Sequence, residues 1–175
     1  MPQNLEVDAI RHVLSELQKI QQTISKGSVF LGQRGDTKKP SLITAPFVDP
    51  TRLVELRAIR SSNFDLLRLI KYCDELNSNF DEGCFLAVPM LGRAILDHVP
   101  PIFGCKSFSE VANNYPSGSK SFKQSMEHLE NSLRKIADAY LHVHIRKSEV
   151  LPNRTQVNFS SDLDVLLAEI VRLLK

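Results

Sequence analysis

Between Leu133 and Lys147 the chain reads LRKIADAYLHVHIRK, with an arginine, an acid and two histidines close together. On a helix, Arg134, Asp138 and His142 stand at i, i+4 and i+8, and each step of four residues advances about 40° around the axis. They form a slanting row beside an apolar seam, at the edge where a helix meets its neighbour. Arg134 can pair with Asp138, and Asp138 with His142. A carboxylate beside an imidazole favours the charged ring or fixes its tautomer. Metal-independent RNA cleavage needs a base for the 2′-hydroxyl proton and a cation for the developing phosphorane charge. His142 and Arg134, supported by Asp138, are candidates for those roles. The plainer alternative is an ion-pair ladder tying this helix to its neighbour.

His144 and Arg146 follow on the expected last turn, where the helix dipole favours positive charge. With Lys147 and Arg154 they make the best local basic patch and the candidate phosphate or nucleic-acid contacts. A second set, Arg93, Asp97 and His98, ends an earlier apolar helix; there Arg93 pairing with a buried Asp97, and His98 capping the helix end, are the plain expectations. On a helix His142 and His144 point about 200° apart, which offers no metal face. An extended LHVHIRK would bring both rings to one side, but no metal and no cofactor is expected. His12 and His128 lie among solvent-type residues and are expected on the surface. Cys73, Cys84 and Cys105 form no C-x-x-C pair and are expected as reduced packing residues. No glycine-rich phosphate loop and no G-x-S-x-G turn occurs.

Helices must position these groups. Asn4 to Lys26 carries a narrow stripe of Ile10, Val13, Leu14, Leu17, Ile20 and Ile24, ended by Gly27. Such a stripe suits a partner helix or loose docking. Residues 27–48 include QRGDTKKPS and no period, a tether that places the domain boundary near Asp49. Asp49-Pro50 reads as a cap and first helical residue for Leu53, Leu56 and Ile59. A second helix runs to about Asn79 on Leu66, Leu69, Ile70, Cys73 and Leu76. Glu82 to His98 is apolar around much of its circumference and reads as central in a bundle. Pro89 should kink it or delay its start, and Pro100-Pro101 ends it. Ser107-x-x-Glu110 opens a short helix as a capping box. Ser119 to about Ile145 is the longest periodic run, on Phe122, Met126, Leu129, Leu133, Ile136, Tyr140 and Val143. Ser161-x-x-Asp164 should cap the last helix, which buries Leu163, Leu166, Leu167, Ile170, Val171 and Leu174. No stretch makes a strand. The expected architecture is all-α: a leading helix (1–26), a tether (27–48) and an up-and-down bundle of four to five main helices (49–175).

The 175 residues are 42% hydrophobic and 24% charged, the composition of a soluble globular domain. A formal charge of +2 means that a local patch, and not the global field, would hold any anionic partner. The N-terminus has acids early and no apolar run, and no segment reaches the length of a membrane span, so a cytoplasmic protein without a membrane partner is expected.

The R-x-x-x-D-x-x-x-H row, with FLAVPMLGRAILDH before it, resembles the signature of HEPN-type domains, in particular a branch found in bacterial defence and restriction-linked proteins. The resemblance runs from about Asp65 to Lys175. It implies an all-α bundle that forms a homodimer, in a family with many metal-independent ribonucleases whose signature is R-x(4–6)-H. Seven residues separate Arg134 from His142 here, whereas Arg93-x4-His98 fits the interval with Ala94 in the usual polar position. The leading expectation is therefore a self-associating interaction or RNA-binding module of a defence or stress-response system, with RNA or a nucleotide as ligand and a protein partner on the N-terminal helix. The alternative is a ribonuclease using His142 and Arg134 in a dimeric cleft.

Overall fold

The computed structural model describes Lys19 and residues 45–61, 63–116 and 118–175. The expected leading helix and most of the tether lie outside the described residues, as does any partner site on that helix. The described body belongs to a compact unit spanning Thr44–Lys175. Phe47 and Val48, expected at the end of the tether, are each only 2% exposed and belong to the core. Asn77 explains their anchoring: its side chain accepts from the Val48 N–H at 2.7 Å and donates to the Val48 carbonyl at 3.0 Å.

Helix α1 (Pro50–Ala58) starts as expected, with Asp49 accepting the Thr51 N–H at 2.7 Å and Pro50 opening the first turn. It buries Leu53 and Leu56. Helix α2 (Leu67–Asp81) buries Leu69, Cys73, Leu76 and Phe80, and Arg57–Asp74 pins it to α1 at 2.7 Å. Gly83, at φ +75°, turns the chain in a conformation that disfavours side chains. Helix α3 (Ala87–His98) begins five residues later than expected, so Pro89 falls in its first turn, where its missing N–H costs nothing. A 3₁₀ turn, Pro100–Phe103, leads to α4 (Phe108–Asn114). Ser107 caps α4 at Glu110 N, but the Glu110 carboxylate returns to Lys106 N instead of completing the box at Ser107.

The long helix is α5 (Lys120–His128), a π-helical turn (Leu129–Leu133) and α6 (Arg134–His142) in unbroken succession. A π turn takes in one extra residue, which rotates everything after it by about 100° relative to an α-helical continuation. The fully buried seam thus passes from Phe122, Met126, Leu129 and Leu133 to Ala137; Ile136 packs half-buried against the core, and Tyr140 is not part of it. The helix also ends at His142, three residues earlier than expected; Val143 is extended and exposed, with no core opposite it. The β-branched Val143 and Ile145 add little helical preference.

A four-residue helix, α7 (Arg154–Val157), opens with a reciprocal capping box between Asn153 and Gln156 in what reads as a plain connector. Helix α8 (Ser160–Leu174) follows and buries Leu163, Leu166, Leu167, Ile170 and Val171. The expected Ser161–Asp164 cap is not formed: the N-cap is Phe159, and Asp164 instead receives Arg52 of α1 at 2.9 and 3.2 Å. Helix α2 packs on α3, α3 on the π turn and α6, α4 on α5, α5 on α8, and α1 on both α8 and α2. The result is an all-α body of six packed helices, counting the long helix once and leaving α7 aside; the described residues contain no strand.

Candidate functional site

The close contact of α3 with the long helix builds the charged site. A Cβ added at Gly92 would lie 2.8 Å from Leu133 Cδ1 and 3.2 Å from Cδ2. Only a bare backbone admits Leu133 there, and the approach brings the polar residues beside this contact together. Arg93 hydrogen-bonds the Asp138 carboxylate across the interface and stands 3.6 Å from Asp97 within its own helix. Arg134 reaches the other way, with Nη1 2.7 Å from Asp97 Oδ1 and Nε 2.8 Å from Glu130 Oε2. The expected Arg134–Asp138 and Asp138–His142 pairs are not formed: Arg134 and Asp138 find their partners across the helix interface or one turn back, and His142 is left out. Asp97, expected buried, is 52% exposed.

Chemically, this is a closed set of two guanidinium groups and three carboxylates, with formal charge −1 (2 − 3). Burial opposes the charged form of Arg134, but the hydrogen bonds it donates to Asp97 and Glu130 outweigh it and raise its pKa above that of free arginine. A guanidinium already holding two carboxylates in a net-negative cluster has little left for a phosphodiester. His142, the last residue of α6, is exposed and forms no hydrogen bond or ion pair among the described residues.

The other candidates are dispersed. His144, Arg146 and Lys147 are exposed in the non-helical segment after α6, where the Arg146 N–H donates to Glu149 Oε1 at 2.7 Å. Arg154 is spent elsewhere: its guanidinium lies 4.1 Å from the centre of the Phe80 ring and donates to the Phe80 carbonyl at 2.8 Å, giving the C-terminal end of α2 a cation. His98 does not join Arg93 and Asp97; its ring meets Tyr72 of α2 edge-on at 6.0 Å, and burial, then the charge of Arg68, lowers its pKa. Although LHVHIRK leaves the helix after His142, no group of three or more His, Cys, Asp or Glu able to hold a metal gathers among the described residues. Cys73 is buried, its thiol pushed up to about 12 by burial and then by Asp74. Cys84 is exposed, contrary to the packing role expected of it, because α3 starts only after it.

Two features escape a linear reading. His128, expected on the surface and exposed there, also has Nδ1 2.6 Å from Asp162 Oδ2 and leans on Phe159 at 5.2 Å between centroids. Asp162 is 34 residues away, so only the packing of α5 on α8 joins them. The second is an apolar tip. Leu141, Val143, Ile145, Val150 and Leu151 are all exposed around the end of α6, with Leu86 beside them, and a hollow of about 530 Å³ lies between several of them. Alternation in LHVHIRK is its one sequence signal. Among the described residues no helix is long and apolar enough to cross a membrane. No family model, curated protein or solved structure matches this chain.

Proposed function

We propose that this chain is a HEPN-like, self-associating helical interaction module of a bacterial defence or stress-response system, working in the cytoplasm, with the apolar tip docking on a second copy. The observation that carries this reading is the concentration of exposed large apolar side chains around Leu141–Leu151, with Ile145 95%, Val150 80% and Leu151 68% exposed. Contiguous apolar patches of this kind mark interaction sites on soluble proteins. A second copy suits the charges as well. His142, His144, Arg146 and Lys147 border the tip, while the Asp97/Glu130/Asp138 cluster leaves a net negative ridge on the same long helix and α3. A two-fold axis would set the basic tip of each copy near the acidic ridge of the other.

Sedimentation equilibrium of the full chain and of Ile145→Asp tests this. Burying one isoleucine is worth roughly 1.5–3 kcal/mol. Two-fold symmetry doubles that, so the variant dimer should weaken by about 10²-fold or more. A parent that stays monomeric, or a variant that dimerises equally well, refutes the assignment. Exposed Arg146 and Lys147 favour RNA as a further ligand. The ribonuclease alternative requires Arg134 to leave both Asp97 and Glu130; RNA cleavage in EDTA by the parent, lost in Arg134→Ala/His142→Ala, would move the assignment to an enzyme.

A further inference from the structure

Beside the His128–Asp162 pair lies a hollow of about 460 Å³ between the long helix and the α7–α8 connection. This volume suits a small molecule. Its polar lining is uncharged apart from His128, whose partner Asp162 already faces it. No lysine or arginine lines it, so neither an anion nor a cation finds a free counter-charge.

The lining is rich in unspent donors. Gln156 gives its side-chain oxygen to the Asn153 N–H at 3.0 Å, and Asn158 gives its own to the Ser160 N–H at 3.2 Å. A backbone N–H can only donate, so both carboxamides are held with their oxygens on the backbone they cap, and their NH2 groups form no hydrogen bond among the described residues. The hydroxyls of Ser132, Thr155 and Tyr140 form no hydrogen bond among the described residues. Asp162 accepts from Nδ1 of His128, leaving Nε2 as the nitrogen available to a ligand. Ile136, Ala139, Phe159 and the Tyr140 ring supply an apolar wall.

The geometry points to a binding site for an uncharged, carbonyl-bearing planar ring, the chemistry a pyrimidine base presents. Fixed carboxamide NH2 groups meet the carbonyl oxygens, His128 Nε2 accepts from a ring N–H, and the apolar wall takes the ring face. Preorganisation by the capping contacts removes much of the ordering cost.

The test is a titration of the ¹⁵N-labelled full chain with uridine, followed by amide shifts. Saturable shifts confined to the neighbourhood of His128, Ser132 and Thr155–Asn158 are expected, at millimolar affinity of about 1–10 mM for so small a ligand. Gln156→Glu/Asn158→Asp keeps the oxygens that cap the backbone and deletes both NH2 groups, so binding should weaken by about tenfold or more while the fold stays intact. Three results overturn the proposal: no saturable shifts, equal affinity in the double variant, or the same shifts with glucose or inorganic phosphate at equal concentration.

Discussion

The contact between Gly92 and Leu133 brings α3 against the long helix, and its energetics can be worked out in advance. Gly92→Ala gains about 1 kcal/mol of helix preference. The new methyl, at 2.8 Å from Leu133 Cδ1 and 3.2 Å from Cδ2, must displace a side chain that is only 1% exposed. Overpacking of that kind costs roughly 1–3 kcal/mol, so the single variant should be destabilised by about 0–2 kcal/mol. Leu133→Ala leaves a void and costs about 2–5 kcal/mol. When the two changes are combined, the methyl introduced by Gly92→Ala keeps its helix preference, loses its clash and fills part of the void. The double variant should therefore be more stable than the sum of the singles by about 1–3 kcal/mol. Urea unfolding with a common m-value measures all four corners of the cycle. Additivity within about 0.5 kcal/mol would refute the claim that glycine is required at this helix contact.

Two further expectations rest on single side chains. Glu169 takes Arg172 at 2.6 and 2.8 Å and the Tyr115 hydroxyl at 2.8 Å; the Arg172 hydrogen bonds first, and Tyr115 after, hold its carboxyl below its usual value of 4.5. A depressed carboxyl pKa gives stability that is present above the unfolded value and lost as pH falls through the folded one. Thermal unfolding of Glu169→Gln should accordingly trail the parent at neutral pH and close on it as pH falls below 4.5; a constant gap would exclude this linkage. Arg154→Ala loses the ring contact and the hydrogen bond to the Phe80 carbonyl and should cost roughly 1–3 kcal/mol in urea unfolding; unchanged stability, with weakened RNA binding, would show that Arg154 serves a ligand instead.

Helix positions were largely legible because periodicity and end signals are local. Asp49-Pro50 and Ser107 act on N–H groups two or three residues away, and the structure uses both as caps, whereas the Ser161 cap is not formed. Arg134 and Asp138 were visible as a row beside one helix seam, and Arg93 and Asp97 as a separate set on an earlier helix. Their pairing was not, since a carboxylate on one helix can choose between an arginine four residues along and one on the facing helix. Only the interface at Gly92 decides that choice.

The amino-acid sequence by itself determined that this chain forms amphipathic helices, roughly where they start, and most of the apolar residues that enter one core, since these follow from spacing along a single helix axis. Tertiary structure alone decided the crosswise Arg93–Asp138 and Arg134–Asp97 pairs, the meeting of His128 with Asp162, and the exposure of the Leu141–Leu151 tip. The π turn at Leu129–Leu133 sits between the two levels. One extra residue in a turn leaves no mark on hydrophobic composition, yet it re-aims every side chain that follows it.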